Sequence, residues 1–567
     1  MSKFSEFQNL KSEIQAVGKL LPYFGGMKKL LPLSFLLGVA SSFIESVAVG
    51  LVVMFVFQSI TQNGAALSEG GLFFFFDSMS AITKDNVAII WAIIISSIAL
   101  KSIVSGIYHL LSAHVINTIH HKIRSALFEK YMSLPYKDLA KLDYGEMTNT
   151  LQVECWYISE AIRAFSLIFI ASCTIFVYLL ILAILSWPLA LLIVFCGVFI
   201  KLFSHLLYLP LKNIGLKVTE INEKLSLQMF TRLQALKSFR AHGLERQETE
   251  KFSLLSQSVA LAFTNMSRIE IFLRPIYDVG ILVTIALIIW CSSMMDNSAI
   301  LTATIVAFLY RLQPHLYSLE NAFMVLAKSY GPIRAVIKQL EAPDVREEIS
   351  KNLPVPNNWQ VLRFENISFS YDETRVLENI NFELPRGKTL HIKGASGAGK
   401  STLINLLLKL TMPTSGQIWL DETDFQAIGR SQWLPTITAA GQDFELLDGT
   451  ILENITLGRH VDEKSLQQAL EIAEIKDYIE QLPDGLQTKI GERGIRLSGG
   501  QRQRIIIARA LCSNPDILIL DEATSALGFD TEKEIYNHIQ KHRPEITLVI
   551  ITHRSLPKKF ADIEVEL

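Results

Sequence analysis

The run Gly394-Ala395-Ser396-Gly397-Ala398-Gly399-Lys400-Ser401 has the spacing of a loop built to hold phosphate. Glycines at 394, 397 and 399 let backbone N–H groups turn inward around an anion. Lys400 adds a positive charge, and the hydroxyls of Ser401 and Thr402 stand where a Mg²⁺ and a phosphate oxygen would sit. Farther on, the apolar run Ile517-Leu518-Ile519-Leu520 ends in two adjacent carboxylates, Asp521 and Glu522. Ser498-Gly499-Gly500-Gln501 opens a helix-forming stretch, so its N–H groups and dipole can bind a second phosphate contact. Phosphoryl transfer to water asks for such parts: neutralised phosphate charge and a positioned nucleophile.

These residues need a rigid scaffold, and the surrounding pattern predicts one. From about Val361 the chain alternates into strands over 362–369, 380–384 and 389–393, the last feeding the glycine-rich loop, and helix formers follow from Thr402 to Leu410. Strand, glycine-rich loop and helix is the context that the phosphate loop requires.

The order of motifs resembles that of the ATP-binding-cassette (ABC) family along essentially the whole chain. Leu497-Ser498-Gly499-Gly500-Gln501 matches the family signature, and Ile517 to Glu522 is similar to Walker B. The resemblance implies further roles. Tyr371 stacks on adenine; Gly394, Ser396, Gly397, Gly399, Lys400, Ser401 and Thr402 hold the ATP phosphates; Gln442 and Asp521 approach Mg²⁺ together with Ser401. Glu522 polarises the attacking water, His553 contacts the γ-phosphate, and Gly491-Glu492-Arg493-Gly494 is the exporter-type loop before the signature. In the family, Ser498, Gly499, Gly500 and Gln501 bind the nucleotide held by a partner cassette. One cassette and one set of spans therefore imply a half-transporter that pairs, most simply with itself. One departure is Gly528, which stands where relatives carry an aspartate after Ser525-Ala526-Leu527 and implies weakened coupling across the dimer and slow basal ATPase.

The first part of the chain has another character. Only 19% of the 567 residues are charged and half are hydrophobic, with the charge deficit concentrated before about Tyr330. Six stretches, at about 30–60, 87–113, 163–186, 188–211, 270–293 and 298–323, are long enough to cross a bilayer core. Trp187-Pro188 leaves almost no connection between the third and fourth, which predicts a tight hairpin. Residues 1–28 read as an amphipathic elbow helix on the membrane surface, 29–330 as the transmembrane domain, 331–358 as a linker and 359–567 as the nucleotide-binding domain. The expected fold is thus an all-α six-helix membrane domain followed by a cytosolic α/β P-loop cassette.

Lys122, Arg124, Lys130, Lys137, Lys212, Lys217, Arg232 and Lys237 populate the two long connections, whereas the opposite loops offer only Lys84. The positive-inside rule puts both termini and both connections in the cytoplasm of a bacterial-type inner membrane. The net charge of −2 contains no basic domain, which argues against nucleic acid. Five scattered cysteines show no metal or disulfide spacing, and His120-His121 reads as a solvated helix face. Phe73-Phe74-Phe75-Phe76 reads as an interfacial anchor.

Charges within the spans each cost about 2.5–3.5 kcal/mol on insertion scales. Glu45, Lys101, Lys201 and Arg311 sit near span centres, Arg274 and Asp278 lie one turn apart, and His315 lies one turn from Arg311. Pairing Glu45 with one cation and Arg274 with Asp278 leaves two central cations, suited to a cavity for an anionic substrate. Ser42-Phe43-Ile44-Glu45 and Leu309 to Pro314 resemble segments of bacterial lipid-linked oligosaccharide flippases and glycolipid exporters. The expected activity is ATP-driven export or flipping of an amphipathic lipid-linked saccharide or glycolipid. The alternatives are export of a small modified, microcin-like peptide, and an ABC-gated channel or regulator.

Overall fold

A computed structural model of the chain describes residues 18–60, 87–139, 143–208, 211–295, 299–341, 353–371, 374–395, 397–441, 444–524, 527–552 and 560–567. Two compact units emerge, one of residues 1–133 and 141–344, the other of 134–140 and 345–567.

The first unit is helical. Its long elements are α1 (Met27–Ile60), α2 (Val87–Ser133), α3 (Tyr144–Asn149), α4 (Cys155–Leu185), α5 (Trp187–Tyr208), α6 (Leu211–Gln234), α7 (Glu245–Met294) and α8 (Ala299–Glu341). A π-helical turn, Thr150–Glu154, joins α3 to α4. Helices are expected here, because apolar surroundings leave the backbone only its own hydrogen bonds. Five helices among the described residues are long and apolar enough to cross a membrane: α1, α2, the helix ending at Leu185, α5 and α7. The sixth expected span falls in α8, whose sequence is diluted by Arg311, His315 and Glu320. Phe176, Phe195 and Phe199 stand 66–70% exposed, as lipid-facing side chains would. The hairpin is as tight as expected: α4 ends at Leu185, Ser186 is extended, and α5 starts at Trp187. The long connections continue the helices, with α2 running on to Ser133 and α7 starting at Glu245. Helix α8 likewise passes position 331 unbroken and ends at Glu341.

Residues 1–17 of the expected elbow and Phe73 to Phe76 lie outside the described residues. The elbow's end, a short 3₁₀ turn over Leu21–Phe24, carries Leu20 and Phe24 nearly fully buried. His120 corrects the solvated-face reading: its ring meets Trp156 edge-on at 5.8 Å and its Nε2 is buried.

The second unit holds two sheets. β1 (Val361–Tyr371), β2 (Thr374–Pro385), β4 (Ser415–Leu420) and β5 (Thr423–Asp424) form an antiparallel sheet in the order β2-β1-β4-β5. β3 (Thr389–Lys393), β6 (Ile437–Gly441), β7 (Ile517–Asp521), β8 (Thr547–Ile551) and β9 (Ile563–Glu566) form a parallel sheet in the order β6-β7-β8-β3-β9. β7 and β8 are the near-continuous apolar runs typical of strands covered on both faces. Trp359, Trp433 and the stacked pair Phe364–Phe382, 4.3 Å between centroids, fill the core beneath the antiparallel sheet.

Candidate functional site

Parallel register brings the chemistry to one edge. Gly441 on β6 is paired with Asp521 on β7, Asp521 with Ile551 on β8, and Ile551 with Ile392 on β3. One row across the sheet therefore carries Asp521, with Glu522 next in the chain, and the phosphate loop begins two residues beyond Ile392. Such carboxyl ends of parallel strands are where open α/β sheets hold ligands.

The loop follows β3 and delivers Lys400 and Ser401 at the first turn of α9 (Lys400–Leu407). Gly399 has φ of 98°, and a Cβ there would come within 2.6 Å of Leu377 Cδ2 and 3.0 Å of the Val376 carbonyl. Only glycine satisfies both demands. Lys400 Nζ donates to the Gly394 and Ala395 carbonyls at 2.9 and 3.0 Å, so the ammonium is held across the mouth of its own loop. Ser401 is exposed and Thr402 is buried.

Asp521 lies at the end of β7, and Gly441 makes room for it: a Cβ on Gly441 would stand 2.9 Å from the Asp521 carbonyl. Glu522 adopts φ of 49°, uncommon for a residue with a side chain, and its N–H donates to Ile551 O at 2.9 Å. Backbone held in such a region is over-determined by its surroundings and turns up at active sites. Gln503 Nε2 reaches the Glu522 carbonyl at 3.4 Å. Ser396, Gln442 and His553 lie outside the described residues; their neighbours Gly397, Gly441 and Thr552 belong to the same loop and the same strand ends. Tyr371 ends β1, 40% exposed, with its ring edge-on to Phe369 at 4.8 Å.

Ser498 caps α10 (Gly499–Cys512) in a reciprocal box: Gln501 N–H donates to Ser498 Oγ at 3.2 Å, and Ser498 N–H donates to Gln501 Oε1 at 2.8 Å. Gln501 is thereby engaged in shaping the helix start, which leaves the N–H groups of Gly499 and Gly500 to meet an anion. Arg509, near the other end of α10, donates to the carbonyls of Asn454 and Glu445 at 2.7 and 3.0 Å, and burial pushes its guanidinium down to about 10. Gly528 precedes α11 (Phe529–His542) as an N-cap without a side-chain bond.

The span charges assemble differently from the pairing the spacing suggested. Glu45 of α1 receives both Arg311 of α8 and Lys101 of α2, the latter at 3.3 Å. Lys201 is bonded to Glu320, buried on α8, at 2.5 Å, and Ser204 Oγ adds a bond to the same carboxylate at 3.1 Å. Asp278 accepts from Gln313 Nε2 at 2.7 Å in place of Arg274, which lies over the Tyr317 ring at 5.9 Å. His315 stacks obliquely on Tyr178 at 5.9 Å. Two cations to one carboxylate leave a surplus of one positive charge in this cluster, not two across the spans. The reason is that a helix one turn apart does not force a pair; Gln313 on a neighbouring helix is nearer to Asp278 than Arg274 is. Sequence reasoning missed Glu320, Gln313 and Gln503. Glu320 was findable, since it is a carboxylate inside the stretch 298–323.

Comparison with known proteins follows the same division. Residues 31–313 match the model of the ABC transporter transmembrane region, and residues 377–525 that of the ABC transporter. An ATP-dependent lipid A-core flippase of Shewanella oneidensis is 28% identical over 97% of this chain and 93% of its own length. The heterocyst differentiation ATP-binding protein HepA of a Nostoc species is 27% identical over 76% of this chain and 72% of its own. In fold, the chain is similar to an ATP-bound bacterial Atm1-family ABC exporter, with a TM-score of 0.76, 21% identity and coverage of 95% and 92% of the two chains.

Proposed function

Because this chain is an ABC transporter half-subunit, a multi-pass transmembrane region joined to one ATP-hydrolysing cassette, we propose that two copies pair and flip or export an anionic lipid-linked saccharide or glycolipid. The reading places both termini on the cytoplasmic side of a bacterial inner membrane, where the Lys- and Arg-rich connections would lie. Glu45 carries this proposal. It faces Lys101 and Arg311 at the centres of three spans, and the Arg311 side chain remains 46% exposed. A cation pair that shares one carboxylate retains binding capacity for a phosphate or other anionic headgroup. The name borne by the Shewanella relative, a flippase of a lipid, agrees with that chemistry.

The donor set fits a Mg²⁺: an exposed Ser401 hydroxyl on the first turn of α9 and the Asp521 carboxylate at the carboxyl end of β7, on the same edge of the sheet. When bound, the metal neutralises charge on the β- and γ-phosphates. Lys400 exchanges its two loop carbonyls for phosphate oxygens. Glu522 accepts a hydrogen bond from the attacking water, with Gln442 and His553 as further contacts and Tyr371 against the adenine. Ser498, Gly499 and Gly500 of the partner copy close the site over the γ-phosphate. In proteoliposomes, an anionic glycolipid should stimulate ATP hydrolysis and be moved between leaflets, and Arg311→Ala should lower the stimulation ratio to about one. Wild-type flipping by Arg311→Ala would sink the headgroup role, and stimulation only by peptides would favour the peptide alternative.

A further inference from the structure

A second polar cluster lies away from the span charges, in the helices between the apolar stretches. Glu154 closes the π-helical turn Thr150–Glu154 and is 1% exposed. It precedes the apolar part of α4 and shares that approach with Glu146, Glu160 and Arg163, so it belongs to the cytoplasmic extension. Asn149 Nδ2 donates to its Oε1 at 3.1 Å, whereas Oε2 is buried without a hydrogen-bond partner among the described residues. π-helical turns of this kind occur often at functional sites.

Glu154 lines a small cavity with Asn149, Thr219, Asn222 and Lys328, which has room for roughly one water-sized occupant. Glycines bring its walls together: a Cβ on Gly331 would stand 2.7 Å from Thr219 Oγ1, and one on Gly215 would stand 3.3 Å from the Lys328 carbonyl. That carbonyl is distinctive. Its usual helical donor would be the N–H of residue 332, which is a proline. The lining thus combines the Glu154 carboxylate, the hydroxyl of Thr219, the amide of Asn222 and a Lys328 carbonyl that proline has deprived of its donor, while Asn149 turns Nδ2 to Glu154 and its Oδ1 accepts from Ser226 at 3.4 Å.

The local field is negative. Lys328, the cation on the cavity wall, spends its ammonium on Glu270 of α7 at 2.6 Å. The Thr150 hydroxyl, Glu223 of α6 and Glu146 of α3 lie within electrostatic reach of Glu154, with Tyr131 of α2 and Tyr157 of α4 nearby. Burial, then the neighbouring Glu223 and Glu146, hold the Glu154 carboxyl above its ordinary range, so its charged form needs a positive companion. Hard alkali cations take such oxygen sets, while the absence of three clustered His, Cys, Asp or Glu among the described residues speaks against a transition metal.

We propose that Glu154, held by Asn149 Nδ2, forms with Thr219, Asn222 and the Lys328 carbonyl a binding site for one small alkali cation, which ties the turn between α3 and α4 to α6 and α8. The test uses the full chain in nanodiscs, titrated with NaCl or KCl against choline chloride at constant ionic strength. An alkali cation at ten times its dissociation constant should raise the Tm by about 2 °C, saturably. ²²Na⁺ should bind at about one per chain, more strongly at pH 8 than at pH 6, where a proton competes for Glu154. Glu154→Gln should weaken binding by at least about tenfold, the loss of one charged ligand. Pro332→Ala guards against simple misfolding: it removes a helix-breaking residue, restores a donor to the Lys328 carbonyl, and should fold at least as well while binding Na⁺ more weakly. A response to either alkali cation supports the site. Equal Tm in all three salts, a Tm that follows pH alone, or undiminished binding in both variants would overturn it.

Discussion

The cassette and the membrane region solve the same problem, collecting charged groups at one place, by opposite means. In the cassette, Asp521 and Glu522 are chain neighbours, Lys400 and Ser401 are chain neighbours, and parallel pairing of Gly441, Asp521, Ile551 and Ile392 does the rest. In the spans, Glu45, Lys101 and Arg311 come from three separate helices. Backbone register is set by hydrogen bonds common to every parallel sheet, so short motifs suffice there. Between helices, side-chain packing alone decides who meets whom. A substitution at the cassette's catalytic edge should therefore strike catalysis with little effect on folding, and one at Glu45 should lower stability as well as function.

The largest expected effect tests the cassette half of that contrast. Glu522→Gln should lower the rate of phosphate release by about 10²–10⁴-fold while nucleotide is still trapped between paired cassettes. Failure to trap nucleotide would mean that the carboxylate serves binding or folding. Gly441→Ala should follow, because its new Cβ would stand 2.9 Å from the Asp521 carbonyl and displace the acidic pair. A shift approaching 1 Å costs about 10²-fold in turnover, to be read as kcat with circular dichroism unchanged.

The span half is tested by Glu45→Ala, which leaves Lys101 and Arg311 without their shared carboxylate. The Tm should fall, and adding Lys101→Ala should restore part of it, with a coupling of about 0.5–3 kcal/mol in a double-mutant cycle. Strict additivity would show that the triad is not energetically real. A smaller effect is expected at Gly528, whose added Cβ would have nothing nearer than Thr531 Oγ1 at 4.0 Å. Gly528→Asp should supply the missing cap of α11 for a few tenths of a kcal/mol and raise basal ATPase. Unchanged turnover would remove that loop from the list of limiting steps.

The smallest effect is a pH dependence in the cassette sheet. The hydrogen bond from Lys393, then that from His391, holds the Glu564 carboxyl below its ordinary range. Its folded-state value is depressed, so the contribution is present above the ordinary carboxylate range and is lost as pH falls through and below it. Glu564→Gln should flatten thermal stability across that acidic window and leave it unaltered near neutrality. An identical pH profile would show that the contact carries no linkage.

Much of this molecule was readable before its structure. β3, the glycine-rich loop and α9 followed from the spacing of glycines beside β-formers and helix formers, and the Trp187 hairpin from two apolar stretches with no room for a loop. The span charges were also visible as misplaced charges. Their partners were not: Gln313 took Asp278, and Glu320, overlooked within 298–323, took Lys201. Spacing along one helix says which residues share a face and is silent about the facing helix. The Glu154 cavity was invisible for a related reason, since it needs a π-helical turn, two close glycine contacts and a proline on different helices to exist at all.

Sequence alone determined the local and periodic matters: where apolar stretches are long enough to cross a bilayer, where a phosphate loop starts, which strand ends in carboxylates. Those properties depend on a few consecutive residues and on backbone geometry that is the same in every protein. Tertiary structure alone decided that Glu45 serves two cations, that Lys201 meets Glu320, and that Glu154 is buried against residues of other helices. Each of these is a contact between distant parts of the chain, whose energy depends on a few tenths of an ångström in packing, a quantity no single stretch of sequence contains.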